Sequence, residues 1–292
     1  MVVSTADRLR PVPVALTREA DVLAALDRLG PSATGHNPDQ ASNLPTTGLL
    51  AMSIPASFGG ADISNLIVAE AVSRLAIWNA KAAEQLLRHL VALELVRTSG
   101  SAEQRRAIYG RVVLGDVFDL SAPREGVPPP RLVPSGLAFA LDNGGSDFEI
   151  GAADWQIIRA SGSGSEPMAA ILDSKRVLFG GDDASPELTV HPDYILSLGV
   201  NADCLAQLMT AFLMAAAAHG RVSAKTLTSG ADPSVAIELE LLDAMIQKAA
   251  SLIDGIQVDD PPIDLAQIDR FCLALDTARS RCSADHSPAI RS

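Results

Sequence analysis

Aromatic residues are scarce in this chain of 292 residues: Phe, Trp and Tyr make up 4% of it. An aromatic-rich β-sandwich is therefore a poor fit, and the abundant Ala and Leu favour helix packing. Cysteine is scarcer still. Cys204, Cys272 and Cys282 follow no zinc-ligand spacing, and an odd number argues against a secreted disulfide framework. Positive charge is also in short supply. A formal net charge of −12 repels phosphate backbones, so nucleic acid is excluded as a partner, although a small ligand in a locally basic pocket is not. No run is apolar for long enough to indicate a membrane span. The best candidate, Leu205 to Ala218, is interrupted by Gln207 and Thr210 and reads as a buried core helix. Met1 to Pro13 lacks a basic start followed by an apolar stretch, so no signal peptide is expected, and the expectation is a cytoplasmic protein.

Known site motifs are missing too. There is no Walker loop, no G-x-G-x-x-G after a strand and no G-x-S-x-G elbow. His191, His219 and His286 lack metal-site spacing, so no metal is expected. His89 lies inside a helical stretch beside Arg88 and fits a helix-face or core role.

What is present is 48% hydrophobic residues, enough for sizeable cores. Thr17 to Leu29 reads as a short helix capped by Thr17 and ended by Gly30. Pro31 to Thr47 is a loop. Asn65 to Thr98 carries apolar residues at three- and four-residue intervals, which predicts two helices with a break near Trp78 to Lys81. After Gly100, Ser101-Ala-Glu-Gln104 forms a capping-box pattern that opens another helix. From about Val117 the pattern changes. Prolines cluster between Pro123 and Pro134, and short β-like runs follow at Leu137–Leu141, Trp155–Ala160, Ala169–Leu172, Arg176–Leu178 and Leu188–Val190. Ser161 to Ser165 has the composition of a hairpin loop. Helices are expected again over Asn201–Leu227, Pro233–Ile253 and Asp264–Arg281, the last capped by Asp264. The expected fold is α+β and mainly α: a helical domain over 1–116, a small middle β domain over 117–196 and a helical domain over 197–292.

Local sequence adds a resemblance. Gly48-Leu-Leu-Ala-Met-Ser-Ile-Pro-Ala-Ser-Phe-Gly-Gly60 resembles the G-L-L-x-x-x-V-P-x-x-Y-G-G segment of acyl-CoA dehydrogenases. Ala69 to Ala76 is similar to that family's helix of x-E-x-L-A type, and Thr98 to Arg105 to its F-G-T/S-x-E-Q-K/R helix start. Gly151-Ala-Ala-Asp-Trp155 resembles the H-A-D-W version found in the flavin monooxygenase branch. The order of these segments carries the resemblance, which spans roughly Leu23 to Ala224 and, more loosely, Pro233 to Cys282. Each piece also has a plainer reading: Phe58-Gly59-Gly60 as a turn, Trp155 as a core or pocket-wall aromatic.

The resemblance implies FAD held between the β domain and the C-terminal helices, with a carboxylate base and an acyl thioester or similar small organic substrate. Leu120, Ser121, Pro123 and Gly126 match the family's L-T/S-E-P-x-x-G-S-D stretch, and Ser121 would face the flavin pyrimidine edge. Ala122, Val127 and Pro128 depart from it, which puts ordinary acyl-CoA recognition in doubt. Phe148 and Gly151 fit the second flavin segment, W/F-x-T/S-G/N, whereas Ile150 replaces its hydroxyl residue. The family's R-x-F-G has no counterpart after Arg221. The glycine-rich FAD stretch and the last helices, with the usual Glu base, are missing, so the C-terminal end is expected to be truncated. Asp203 stands near the position where one branch places its base; the plainer reading, which is favoured, is a first-turn acidic residue suited to the helix dipole. Dehydrogenation and monooxygenation both stay open. So does a catalytically degenerate member serving as an accessory subunit in a hetero-oligomer with a full-length homologue, and so does an unrelated α+β protein. A homo-oligomer is the expected assembly under the flavoenzyme reading.

Overall fold

The computed structural model describes residues 11–30, 44–121, 126, 128–142, 153–175, 188–229, 233–259 and 264–283. Among these residues four α-helices come first: α1 (Glu19–Leu29), α2 (Asn65–Trp78), α3 (Ala80–Ser99) and α4 (Ala102–Val113). Thr17 does not cap α1. The N-cap is Arg18, and Thr17 instead donates from its backbone N–H and hydroxyl to Asp21, both at 3.0 Å. The break between α2 and α3 is a single residue. Asn79 takes an extended conformation, and its side chain accepts from the Ala82 N–H at 3.0 Å, so one residue ends a helix and caps the next. The capping box at α4 forms in both directions, Gln104 N–H to Ser101 Oγ and Ser101 N–H to Gln104 Oε1. Ahead of α2, Gly59 turns the chain at φ 86°, and a side chain on Gly60 would overlap the Ile54 carbonyl. Phe58-Gly59-Gly60 is thus a tight turn packed against its own preceding strand of chain.

Seven strands follow: β1 (Phe118–Leu120), β2 (Arg131–Ser135), β3 (Ala138–Asp142), β4 (Trp155–Ser161), β5 (Pro167–Asp173), β6 (Leu188–Val190) and β7 (Ile195–Ser197). They make one mixed sheet in the order β6-β3-β2-β4-β5-β7, with β1 parallel to the first half of β4. β1, β2 and β7 were not among the runs expected from the pattern. β2 contains Pro134, yet β2 meets β4 only at Arg131, so the missing N–H of Pro134 falls where that neighbour ends. The β4–β5 hairpin turns at Gly162–Ser165, close to the expected loop, with Gly162 N–H donating to Glu166 O at 2.9 Å. Arg176–Leu178 lies outside the described residues.

The sheet has two apolar faces. Ile157, Ala169, Ile171 and Leu196 join the main core with the helices, while Ile158, Ala160, Ala170, Leu172 and Ile195 build a smaller core with Leu132 and Leu141 on the other side. That strict alternation along β4 and β5 places their odd and even residues on opposite faces.

Among the described residues three further helices follow: α5 (Val200–Ser229), α6 (Pro233–Asp259) and α7 (Leu265–Ser283). Asp264 caps α7, accepting from Gln267 N–H at 3.3 Å. α5 packs against α2, α3, α6 and α7. By length and composition Val200–Leu227 could cross a membrane, but most of it is buried within the bundle. Its apolar run is the centre of the helical core, where Leu205, Leu208, Phe212 and Ala215 are fully covered. The molecule is an α+β protein dominated by helices, as the pattern predicted.

Candidate functional site

One stripe of α5 is not covered. Gln207 and Met214 are exposed and Thr210 is half-buried, in a stretch where nearly all the neighbouring residues are buried. With Ala217 and Arg221 they follow helical three- and four-residue spacing, so they share one face. That face is the wall of a cleft of about 610 Å³ between α3, α5, α7 and the sheet edge at Leu120–Ser121. The volume lies inside the roughly 300–1,000 Å³ that small-molecule sites occupy. Gln207 and Thr210, which break the apolar run of α5 in the sequence, break it because they face this space. A side chamber of about 290 Å³ adjoins the cleft, shares Arg159, Gln207, Thr210 and Met214 with it, and is bounded by Cys272 and Asp276 of α7.

Four guanidinium groups line the main cleft in a chain of strong net negative charge. Arg88 of α3 donates from Nε to Asp119 Oδ1 at 2.6 Å and from Nη2 to Leu120 O at 3.4 Å. Burial pushes the Asp119 carboxyl above its usual range, and the bond from Arg88 opposes that shift. Arg279 of α7 donates to Asp276 Oδ1 from Nε at 3.3 Å and Nη2 at 3.2 Å. Arg159 of β4 pairs with Asp203 in the first turn of α5. Arg221 makes no ion pair among the described residues and is exposed.

Arg159 is the informative member. Alternation along β4 puts it on the same side as Ile157, facing the helices rather than the smaller core. A charged residue on the inward side of a strand is costly unless paired. Its signal in the sequence was a lone Arg inside the apolar run Trp155–Ala160.

Among the residues expected from the sequence, Leu120 and Ser121 line the cleft. The Ser121 hydroxyl donates to Gln156 Oε1 at 3.2 Å. Gln156 is fully buried, and its Nε2 has no partner among the described residues. Asp203 does not line the cleft; its carboxylate is engaged by Arg159, which does. Phe148, Ile150 and Gly151 lie outside the described residues. Trp155 is a core aromatic whose ring runs nearly parallel to those of Phe118 and Tyr194, each with its centroid 5.9 Å away. Its Nε1–H donates to Asp116 Oδ2 at 3.0 Å, and the Arg111 guanidinium sits 4.5 Å from its ring centre. His89 is fully buried between the helical unit and β1. No cluster of His, Cys, Asp and Glu suited to a metal occurs among the described residues.

No protein-family model matches the sequence, and no curated protein matches it. Solved structures do match. Methanesulfinate monooxygenase MsuC from Pseudomonas fluorescens superposes with a TM-score of 0.68 at 17% identity, over 97% of this chain and 84% of that one. TdsC from Paenibacillus sp. A11-2, in complex with FMN and indole, gives 0.67 at 16% identity, over 90% of this chain and 81% of that one. Butyryl-CoA dehydrogenase from Megasphaera elsdenii gives 0.61 at 16% identity, over 98% and 90%. The likeness extends over nearly the whole chain, which has the acyl-CoA dehydrogenase-like fold.

Proposed function

We propose that the protein is a flavin-dependent oxidoreductase acting on a small organic substrate, with the flavin nucleotide in the 610 Å³ cleft. One observation carries the reading. Leu120–Ser121, the segment that matches the flavin-contact motif, forms a wall of that cleft. The residues fit a flavin in three respects. Leu87, Val91, Leu120 and Met214 offer apolar wall to a ring system. Ser121, whose hydroxyl donates to Gln156 and can still accept, offers a polar group to a pyrimidine edge. Arg88, Arg221 and Arg279 offer charge-assisted hydrogen bonds to phosphate. Bound flavin would supply the redox chemistry, by accepting hydride or by activating dioxygen once reduced. The chain itself would bind, orient and exclude water.

The choice between dehydrogenation and monooxygenation turns on a base. Removing the α-proton of an acyl thioester needs a desolvated carboxylate beside the substrate. Among the described residues the main cleft is lined by one carboxylate, Glu84, which is exposed. Asp203 is committed to Arg159 and Asp276 to Arg279. This supports oxygen-dependent chemistry over acyl-CoA dehydrogenation. TdsC binds FMN, which makes FMN a candidate beside FAD.

A homo-oligomer is part of the reading. Ile237 and Leu241 on α6 and Leu273 on α7 are large apolar side chains left exposed, at 62%, 53% and 68%. The visible spectrum of the purified chain, before and after incubation with FMN or FAD and removal of excess, tests the function. Flavin bands retained near one equivalent, perturbed in Ser121→Ala, are expected. A colourless protein indifferent to both flavins would remove the autonomous-enzyme reading and leave the accessory-subunit reading in its place.

A further inference from the structure

The side chamber has a chemistry of its own. It shares a wall with the cleft, and among the described residues Arg159 is the one cationic side chain that borders both spaces. Its remaining walls are apolar or neutral, Ala206, Ala211, Met214 and Thr210 among them, apart from Asp276. The Thr210 hydroxyl is turned back on its own helix, donating to Ala206 O at 2.7 Å, so it does not compete for the guanidinium. Asp276 already accepts twice from Arg279.

Arg159 is therefore anchored without being used up. A guanidinium carries five N–H donors in a planar fork. Among the described residues one of them, on Nη1, is taken by Asp203, and the side chain keeps 26% of its surface exposed. With Nη1 held by Asp203, the Nε and Nη2 donors still form a fork that suits two-oxygen anions, because carboxylate and sulfonate groups can take two parallel N–H bonds. The chamber, at about 290 Å³, has room for a compact organic body behind such a head.

The geometry points to Arg159 as the recognition residue for a small organic acid, whose oxyanion head binds at the junction and whose apolar part occupies the side chamber. This deepens the flavin reading, which assigns the larger space to the cofactor, but the acid site stands on Arg159 and its own chamber. A flavin phosphate offers the same oxyanion chemistry, so the test must separate the two sources.

The full-length chain is titrated calorimetrically at low ionic strength with benzoate and with butyrate, alone and after saturation with FMN. Saturable binding of an acid is expected in both states. Arg159→Gln should weaken it about tenfold or more, as loss of a charge-assisted fork does, while FMN affinity stays within about twofold. Loss of FMN and acid binding in parallel would assign Arg159 to the flavin phosphate and overturn the proposal. So would acid binding that ignores the substitution, or no saturable acid binding at millimolar concentration. Arg159→Lys guards against a variant that fails to fold: it keeps the charge beside Asp203 but loses the fork, and should weaken the acid by several-fold. If the chain takes up no flavin yet binds acid through Arg159, the function proposed above fails and this inference survives.

Discussion

The imidazole of His89 accepts a hydrogen bond from the backbone N–H of Phe118 at 2.9 Å on Nδ1, and through Nε2 it donates to the Leu50 carbonyl at 3.1 Å. Both bonds together require the neutral ring with its proton on Nε2. The residue thus ties α3 to the Gly48–Met52 turn on one side and to β1 on the other, two residues before Leu120. Burial holds its pKa down, from 6.5 to about 4. A base whose folded pKa is lowered binds more protons when unfolded, so stability falls as pH drops from about 6.5 to about 4 and levels below that. The span corresponds to a loss of the order of 3 kcal/mol from this group. Denaturant midpoints measured from pH 7.5 to 4.5 should show the decline, and His89→Gln should flatten it. A wild-type profile equally flat above pH 5 would contradict the neutral bridge.

Much of the helical frame was readable because its signals are local. Asn79 between two apolar-periodic stretches, Ser101 with Gln104, and Asp264 each cap the helix that follows them, and a cap is decided within three or four residues. β1 and β7, at three residues each, are too short to show a period, and each is a strand because of a distant neighbour, β4 or β5. β2 was hidden by Pro134. The cleft was legible only in fragments. Leu120–Ser121 could be found by resemblance. Gln207 and Thr210 were visible as interruptions of an apolar run, but what they face depends on helices 60 to 130 residues away. The pairing of Arg159 with Asp203 joins a strand to a helix across 44 residues, and no spacing rule reaches that far.

Gln104 does more than close a capping box. While its Oε1 accepts from Ser101 N–H, its Nε2 donates to Asp193 O at 3.1 Å and Ile195 O at 2.9 Å, which pins the start of α4 to the entry of β7. Ser101→Ala should cost about 1 kcal/mol, the ordinary worth of a lost cap. Gln104→Glu keeps the acceptor but loses both donors and sets an anion against two carbonyls. It should therefore destabilise more than Ser101→Ala. Thermal melts of the two variants side by side check the order; equal effects would mean that the link to β7 contributes nothing.

Where α5 crosses α2, the backbones are close. A side chain on Gly220 would overlap the Ser73 carbonyl oxygen, so the two helices could keep their spacing only with hydrogen there. Substituting Ala in a helix ordinarily adds up to about 1 kcal/mol of stability relative to Gly. Gly220→Ala should do the reverse, because α5 must move away from α2 and loosen the wall that carries Gln207 and Thr210. A fall in melting temperature is the expected outcome. A rise would show that the crossing has slack.

Glu94 is nearly fully buried and sits at the junction of three helices. It pairs with Arg97 through bonds of 2.6, 3.0 and 3.1 Å and accepts from Gln257 Nε2 of α6 at 2.9 Å. Gln257 Oε1 in turn accepts from Asn65 Nδ2 of α2, which also donates to Asp254. The sequence gives no hint of this network, since its partners lie up to 192 residues apart. Removing one member should cost more than replacing two. Arg97→Met strands a buried carboxylate and should cost about 3–5 kcal/mol, whereas adding Glu94→Gln to it neutralises that charge and should recover a large part of the loss. A double-mutant cycle on chemical unfolding measures the coupling, and a coupling free energy near zero would mean that Glu94 is held by Gln257 and solvent rather than by Arg97.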